Sequence, residues 1–276
     1  MIRPIVKMPG GKSRLLPELL KRVPAEIGTY SEPFVGGGAL FFALASEEPR
    51  RFKCAVLGDK NQELMLFYAV VKMRVEELIG EMRFFRHGRR QYEDRREDFN
   101  RRGCITNPVE RAATFLFLNK TCFNGLWRVN KSGAFNVPWG KYKNPLICDP
   151  DALRAASKAL RGVKLITGDF SLATLDLKKG DFVYADSPYA PLSESADFTA
   201  YTPGGFGLDD QARLAGVARR LHARGVNVLV SNSDTPTVHT LYPTKRFRRE
   251  RVYARRSINS DITARGAIAE LLIRPR

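Results

Sequence analysis

The residues Asp186-Ser187-Pro188-Tyr189 follow directly on an apolar run, Phe182-Val183-Tyr184-Ala185, that reads as a buried strand. A carboxylate, a backbone carbonyl restrained by the proline that follows it, and an aromatic ring suit chemistry on a conjugated amine. The exocyclic amine of adenine is a poor nucleophile because its lone pair is delocalised into the ring. Two acceptors aimed at its two hydrogens, the Asp186 carboxylate and the Ser187 carbonyl, would draw that pair toward tetrahedral geometry while Tyr189 stacks on the base. Methyl transfer is then an in-line displacement that requires positioning and polarisation, with no metal and no covalent enzyme intermediate. Taken alone, the tetrapeptide also fits a strand that ends in a proline turn.

Glu32-Pro33-Phe34-Val35-Gly36-Gly37-Gly38 is a short strand opening into a glycine-rich turn before the apolar helix-like segment Ala39 to Ala45. Glycines there let a ligand approach the backbone, and Asp59, ending the next strand 21 residues beyond Gly38, stands where a carboxylate would accept from ribose hydroxyls. A tight structural turn would look alike, but with Asp59 at this distance the pair points to a nucleoside ligand. Glu32 suits a ligand with a positively charged end. In Asn119 to Arg128, continuing to Phe135-Asn136-Val137-Pro138, an Asn-Gly turn would expose Phe123 on one side and Leu126, Trp127 and Arg128 on the other. Such a hairpin could enter a major groove, with Arg gripping guanine and apolar groups meeting a thymine methyl, or it could pack its aromatics inward. His87, His222 and His239 are scattered without ligand spacing, so no metal is expected. Ser231-Asn232-Ser233-Asp234 could line a base pocket or form a polar turn.

These motifs need a scaffold. Short β-type runs at Thr29 to Phe34, Cys54 to Asp59, Val163 to Asp169, Asp181 to Asp186 and Val226 to Ser233 alternate with amphipathic helices, of which Asp209 to Ala223, closed by Gly225, is the clearest. That rhythm predicts an α/β fold, a doubly wound and mostly parallel sheet with ligands at the carboxyl ends of its strands. The segment from Gln62 to Lys158 breaks it with a long helical pattern, an Arg-rich stretch, a second apolar helix at Val109 to Leu118 and a loop rich in Gly, Asn and Pro. It reads as an inserted, mainly helical domain (62–158) within a domain formed by 1–61 and 159–276.

Lys and Arg number 46 against 29 Asp and Glu, a net charge of +17 that attracts polyanions. Arg83 to Arg96 and Lys245 to Arg256 interleave Tyr and Phe with Arg, as a surface that grips phosphates and stacks on bases would. Nucleic acid is favoured over a membrane because no long apolar run accompanies the charge. Four widely spaced cysteines form no Cys-x-x-Cys pair, and Pro4, Lys7 and Pro9 interrupt any apolar leader, so the expected setting is cytoplasmic with reduced thiols.

In order, Lys7-Met8-Pro9-Gly10-Gly11-Lys12, Glu32 to Gly38 and Asp186 to Tyr189 resemble the Dam-type DNA adenine-N6 methyltransferases, whose motifs are Lys-Trp-x-Gly-Gly-Lys, Pro-Phe-x-Gly-x-Gly and Asp-Pro-Pro-Tyr. The likeness extends over Leu118 to Pro145, Ser193 to Tyr201, Arg255 to Ile258 and Glu270 to Leu272. It implies a Rossmann-like catalytic domain, S-adenosylmethionine as methyl donor with no metal, and double-stranded DNA as substrate, flipped at an adenine within GATC. The insertion would then be the DNA-recognition domain, and Asp186, Ser187, Pro188 and Tyr189 the catalytic element. The implied donor site comprises Met8, Lys12, Glu32, Pro33, Phe34, Gly36, Gly38, Asp59, Asp169, Phe170 and Asp186, and the DNA contacts are Lys7, Phe123, Asn124, Leu126, Arg128 and Pro138. A monomer is expected, serving a restriction system beside a cognate restriction enzyme, mismatch repair or a phage. Two residues depart from the motifs. Met8 replaces Trp and keeps a polarizable apolar contact. Ser187 replaces Pro, and Pro188 still holds it extended. The alternatives are a methyltransferase for cytosine N4, RNA adenine or a protein glutamine amide, and a DNA-binding relative that has lost catalysis.

Overall fold

The computed structural model describes residues 1–189, 205–255 and 267–276; Ser193 to Tyr201 and Arg256 to Ile258 lie outside the described residues. Seven strands, β1 (Ile27–Glu32), β2 (Phe52–Asp59), β3 (Lys164–Thr167), β4 (Phe182–Asp186), β5 (Asn227–Ser233), β6 (Phe247–Arg255) and β7 (Ala267–Pro275), form one sheet in the order β3-β2-β1-β4-β5-β7-β6. The five runs expected from the sequence fall on β1 to β5 within two residues at each end. β1 pairs in parallel with β2 and with β4, and β4 with β5, whereas β7 runs antiparallel to both β5 and β6. The fold is α/β and Rossmann-like, with a mostly parallel sheet.

The chain divides into two compact units. One comprises Met1–Ser13, Gly36–Arg50 and Asp59–Gly168; the other comprises Arg14–Val35, Arg51–Gly58 and Asp169–Arg276. In the first, the chain caps its helices as the sequence dictates: Asn61 accepts from the N–H groups of Glu63 and Leu64, Asn107 from Val109, and Asp149 from Ala152. The expected long helical pattern resolves into Gln62–Met73 and Val75–Glu81, interrupted at Arg74. Helix Pro108–Thr121 is buried along most of its length, and Phe67 and Trp127 both pack on its Phe115.

In the second unit, Val183, Ala185, Val228 and Val230 of the central strands pack against Leu214, Val217, Ala218 and Leu221 of helix Leu208–Ala223 in one apolar core. Where β4 begins, the buried Asp181 carboxylate accepts the backbone N–H groups of Thr29 (2.7 Å) and Lys178 (2.8 Å). Gly28 makes room for it, since a Cβ there would fall 2.5 Å from Asp181 Oδ1. Asp181→Ala strands two donors away from water, so we expect a loss of about 2–4 kcal/mol. The melting midpoint should then fall by roughly 5–15 °C in thermal denaturation; an unchanged midpoint would mean that water reaches both donors.

Candidate active site

In an open α/β sheet the strands part where their order reverses, and a crevice opens at their carboxyl ends. Here the reversal lies between β1 and β4. β1 ends at Glu32, which is 3% exposed and accepts a 2.8 Å hydrogen bond from Tyr30 Oη. Phe34 follows, stacked on Phe170 (centroids 5.4 Å apart) and edge-on to Phe206. Asp169 is the cap before Phe170: it accepts from the Ser171 N–H and hydroxyl and pairs with Arg213 at 2.6 Å. Partial burial works against its charge, but these hydrogen bonds and the Arg213 guanidinium hold its carboxyl below the usual range.

β4 ends at Asp186, paired in register with Ser231 of β5. Ser187 is buried, and its hydroxyl has no hydrogen-bond partner among the described residues. The Pro188 carbonyl accepts from Gln211 Nε2 at 2.7 Å, and Gln211 Oε1 accepts from Asn232 Nδ2 at 2.9 Å. Tyr189 Oη donates to Glu270 Oε2 at 2.6 Å. Burial first, then the charges of Asp186 and Glu270, push the Tyr189 hydroxyl far above its ordinary range, so it stays a donor.

The glycine turn belongs to the other unit. Gly36 and Gly38 take positive φ (46° and 66°), and a Cβ on Gly38 would fall 3.2 Å from the Phe42 ring. The Gly36 carbonyl accepts from Tyr68 Oη (2.8 Å), and its N–H donates to Asp59 Oδ2 (3.0 Å). Asp59 Oδ1 accepts the Asn61 N–H (2.9 Å). The Lys60 N–H is a third backbone donor to this carboxylate, which leaves it lone-pair capacity for one more. Burial is the larger effect on Asp59 and raises its pKa against these backbone hydrogen bonds. Met8 lies beside the turn, its Cβ 3.8 Å from a Cβ built on Gly36, and the buried Lys12 ammonium donates to the Gly10 carbonyl (2.7 Å).

Lys7 is tied to helix Pro108–Thr121 and packs on the loop that follows it. Its N–H donates to Asn119 Oδ1 (2.9 Å), and its carbonyl accepts from Asn119 Nδ2 (2.7 Å). Gly125 has no side chain because Lys7 lies on it, with Cδ 2.4 Å from where a Cβ would stand. Lys7 Nζ sits 5.0 Å from the centre of the Tyr142 ring. Phe123, Asn124, Arg128 and Pro138 are exposed and Leu126 is half-buried. The Phe123 N–H donates to the Pro138 carbonyl (2.8 Å), which joins the two ends of the loop.

The loop differs from the expected hairpin. Asn124-Gly125 forms a single 3₁₀ turn (Phe123–Gly125), and the chain reverses later, between Asn130 and Ala134, where Asn130 Oδ1 accepts from the Ser132 and Ala134 N–H groups. Trp127 is not displayed: it packs against Phe99, Phe115 and Phe135. Arg128 bonds back to Asn136 through its side-chain oxygen (2.8 Å) and its carbonyl. Of the sequence-derived residues, Gly36, Gly38, Asp59 and Met8 come together, as do Phe34, Asp169 and Phe170, and Lys7 with the loop. Gln211, Glu270 and Asn119 were missed as site residues, because their roles lie in long-range hydrogen bonds that carry no local pattern.

A ligand that donates hydroxyls to Asp59 should lose affinity as that carboxylate takes up a proton. Because burial raises its pKa, protonation begins at higher pH than for an exposed Asp. Calorimetric S-adenosylmethionine affinity should therefore fall between neutral pH and the acid side while circular dichroism still reports a folded chain. Asp59→Asn should bind more weakly at neutral pH and lose most of that pH dependence. A variant that keeps the dependence would assign it to another group.

Comparison with known proteins places the chain in a family. The D12 class N6 adenine-specific DNA methyltransferase family matches residues 9–258. The chain is similar to the Type II methyltransferase M.MjaIII of Methanocaldococcus jannaschii, at 42% identity over 99% of this chain and 98% of that protein. Identity is 39% with the Type II methyltransferase M1.LlaDCHI of Lactococcus lactis, over 99% and 95%. It is 35% with the DNA adenine methylase of Serratia marcescens, over 98% and 97%. With its motifs in family order and the match running almost end to end, the chain belongs to the D12 class of N6 adenine-specific DNA methyltransferases, which implies S-adenosylmethionine as donor and DNA as substrate.

Proposed function

We propose that the chain methylates the N6 amine of an adenine extruded from double-stranded DNA within GATC, with Asp186, Ser187, Pro188 and Tyr189 as the catalytic element. The observation that carries this reading is the position of Asp186 at the carboxyl end of β4, where strand order reverses. In this role the Asp186 carboxylate and the Ser187 carbonyl accept the two amine hydrogens, so that the nitrogen lone pair is freed to form the new N–C bond. The donor's sulfur would take the electron pair of the C–S bond, and Asp186 would receive the surplus proton from the nitrogen and pass it to water. Ser187 needs only its carbonyl for this, and its hydroxyl has no partner among the described residues to lose.

S-adenosylmethionine supplies, when bound, a methyl group on a positively charged sulfur. The residues of each unit suit such a donor: in one, Asp59 has acceptor capacity for ribose hydroxyls, Met8 is a polarizable apolar neighbour and Gly36 and Gly38 leave the turn open; in the other, the ring of Phe34 is half-buried, backed by the buried Pro33 and Phe170. Glu32 and Lys12 offer charges of both signs to the amino-acid end, and Asp169 braces the Phe170 wall. We assign 1–61 and 159–276 to catalysis and 62–158 to target recognition, in a monomer that works beside a cognate restriction enzyme. The Type II relatives support that setting.

For the target site, Lys7 can donate to guanine acceptors, Arg128 offers a fork to guanine, and Leu126 with Pro138 offers an apolar surface to a thymine methyl. Phe123, exposed beside Asn124, can fill the stack left by the extruded base. Lys7 resting on Gly125 supports one reading module formed from the amino-terminal motif and the loop.

Asp186→Ala should cut turnover at least about a hundredfold while DNA affinity in gel-shift titration stays within a few-fold. Equal losses of binding and turnover would remove Asp186 from the chemical step. Arg128→Ala should cost about 1–3 kcal/mol and relax discrimination mainly at the outer base pair, in competition with duplexes altered one pair at a time. Mapping of modified bases in genomic DNA treated with the enzyme tests the whole: modification at sites unrelated to GATC would overturn the recognition reading and leave the family assignment standing.

A further inference from the structure

We propose that Glu270 is a positioning residue that fixes the ring plane of Tyr189. The proposal rests on the reading of Asp186–Tyr189 as the catalytic element. A tyrosine at the end of a strand can swing about two side-chain torsions. A hydrogen bond at its far end removes that freedom before a base arrives, so the stacking face is preorganised. The 2.6 Å bond from Tyr189 Oη to Glu270 Oε2 is such a tether, and Tyr189 is held protonated and therefore able to donate.

Glu270 reaches this position because of the direction of β7. Its register with β5 sets Glu270 opposite Ser233 and Leu272 opposite Ser231, while Ser231 in turn pairs with Asp186. A parallel β7 would bring its last residues to this end of the sheet, whereas the antiparallel strand brings an early one. The tetrapeptide is also held from the helix side. Gln211, 1% exposed, accepts from Asn232 through its oxygen, and this leaves its amide nitrogen to donate to the Pro188 carbonyl. Backbone and ring are thus anchored separately, one by Gln211 and the other by Glu270.

The test is steady-state methylation of a duplex with Glu270→Ala, Glu270→Gln, Tyr189→Phe and the Glu270→Ala/Tyr189→Phe double variant, each checked by thermal denaturation. Loss of orientation should lower kcat of Glu270→Ala about ten- to a hundredfold with KM for S-adenosylmethionine within about twofold. Glu270→Gln keeps an acceptor of the same size and should recover most of the rate. Tyr189→Phe keeps the ring without the tether, so it should match Glu270→Ala, and the double variant should be no slower than either single one. Full rate in Glu270→Ala overturns the proposal, as does additive loss in the double variant. Glu270→Gln as slow as the alanine variant overturns it too, since the charge beside Asp186 would then be what matters. Should Glu270→Ala fail to fold, a slow Tyr189→Phe beside a fast Glu270→Gln supports the tether, and full rate in both overturns it. Turnover surviving Asp186→Ala would instead undo the catalytic reading, while a silent Asp186→Ala beside a fast Glu270→Ala undoes this inference alone.

Discussion

The reversal of strand order between β1 and β4 is the constraint from which the candidate site follows. A parallel sheet satisfies its backbone in ladders along the strands, so side chains gain room only where neighbouring strands part. β1 and β4 pair through Tyr30↔Phe182 and Ser31↔Val183; Asp186 lies three residues further along β4, where its partner is Ser231 of β5. On the other side of the reversal the chain leaves β1 through Glu32 and enters the glycine turn. The catalytic candidate Asp186 and the donor candidate Glu32 are thus the last residues of two neighbouring strands.

The charge of the chain is divided by purpose. A net +17 suits a polyanionic substrate, yet the residues gathered at the ends of β1, β4 and β7 include Glu32, Asp186 and Glu270. Two of these carboxylates accept from tyrosines, Tyr30 on Glu32 and Tyr189 on Glu270, and burial keeps both hydroxyls protonated. These acidic groups stand against the basic balance of the chain as a whole. Elsewhere arginines are taken up within the protein: Arg111 grips Glu63 with the Nε/Nη2 edge of its guanidinium, and Arg22 spans Glu18 and Glu250. The exposed Arg90, Arg102 and Lys131 enter no ion pair among the described residues.

How far the sequence could be read depends on the range of the interaction. The strands were legible because Phe182 to Ala185 or Val228 to Val230 must be buried on both faces, and Asp59 because a strand end and a glycine turn set its distance. Asn124-Gly125 misled, since positive φ at both residues (54° and 63°) serves a hairpin and a turn closing a helix equally well, and only the packing of Trp127 on Phe99 and Phe115 separates them. Glu270 stood in a recognised motif, but its contact with Tyr189 bridges 81 residues and depends on strand direction, which no local pattern encodes.

The same long-range logic holds the amino-terminal motif in place. Asn119, fully buried, spends one side-chain amide on both backbone groups of Lys7, 112 residues away. Only an amide can do this, since Asp lacks the donor and Leu lacks both groups. Lys7 then lies near Lys120, whose pKa is lowered by burial first and by the charge of Lys7 next. Burial and the charge of Lys7 thus work against the Lys120 ammonium, while the Asp149 carboxylate works for it.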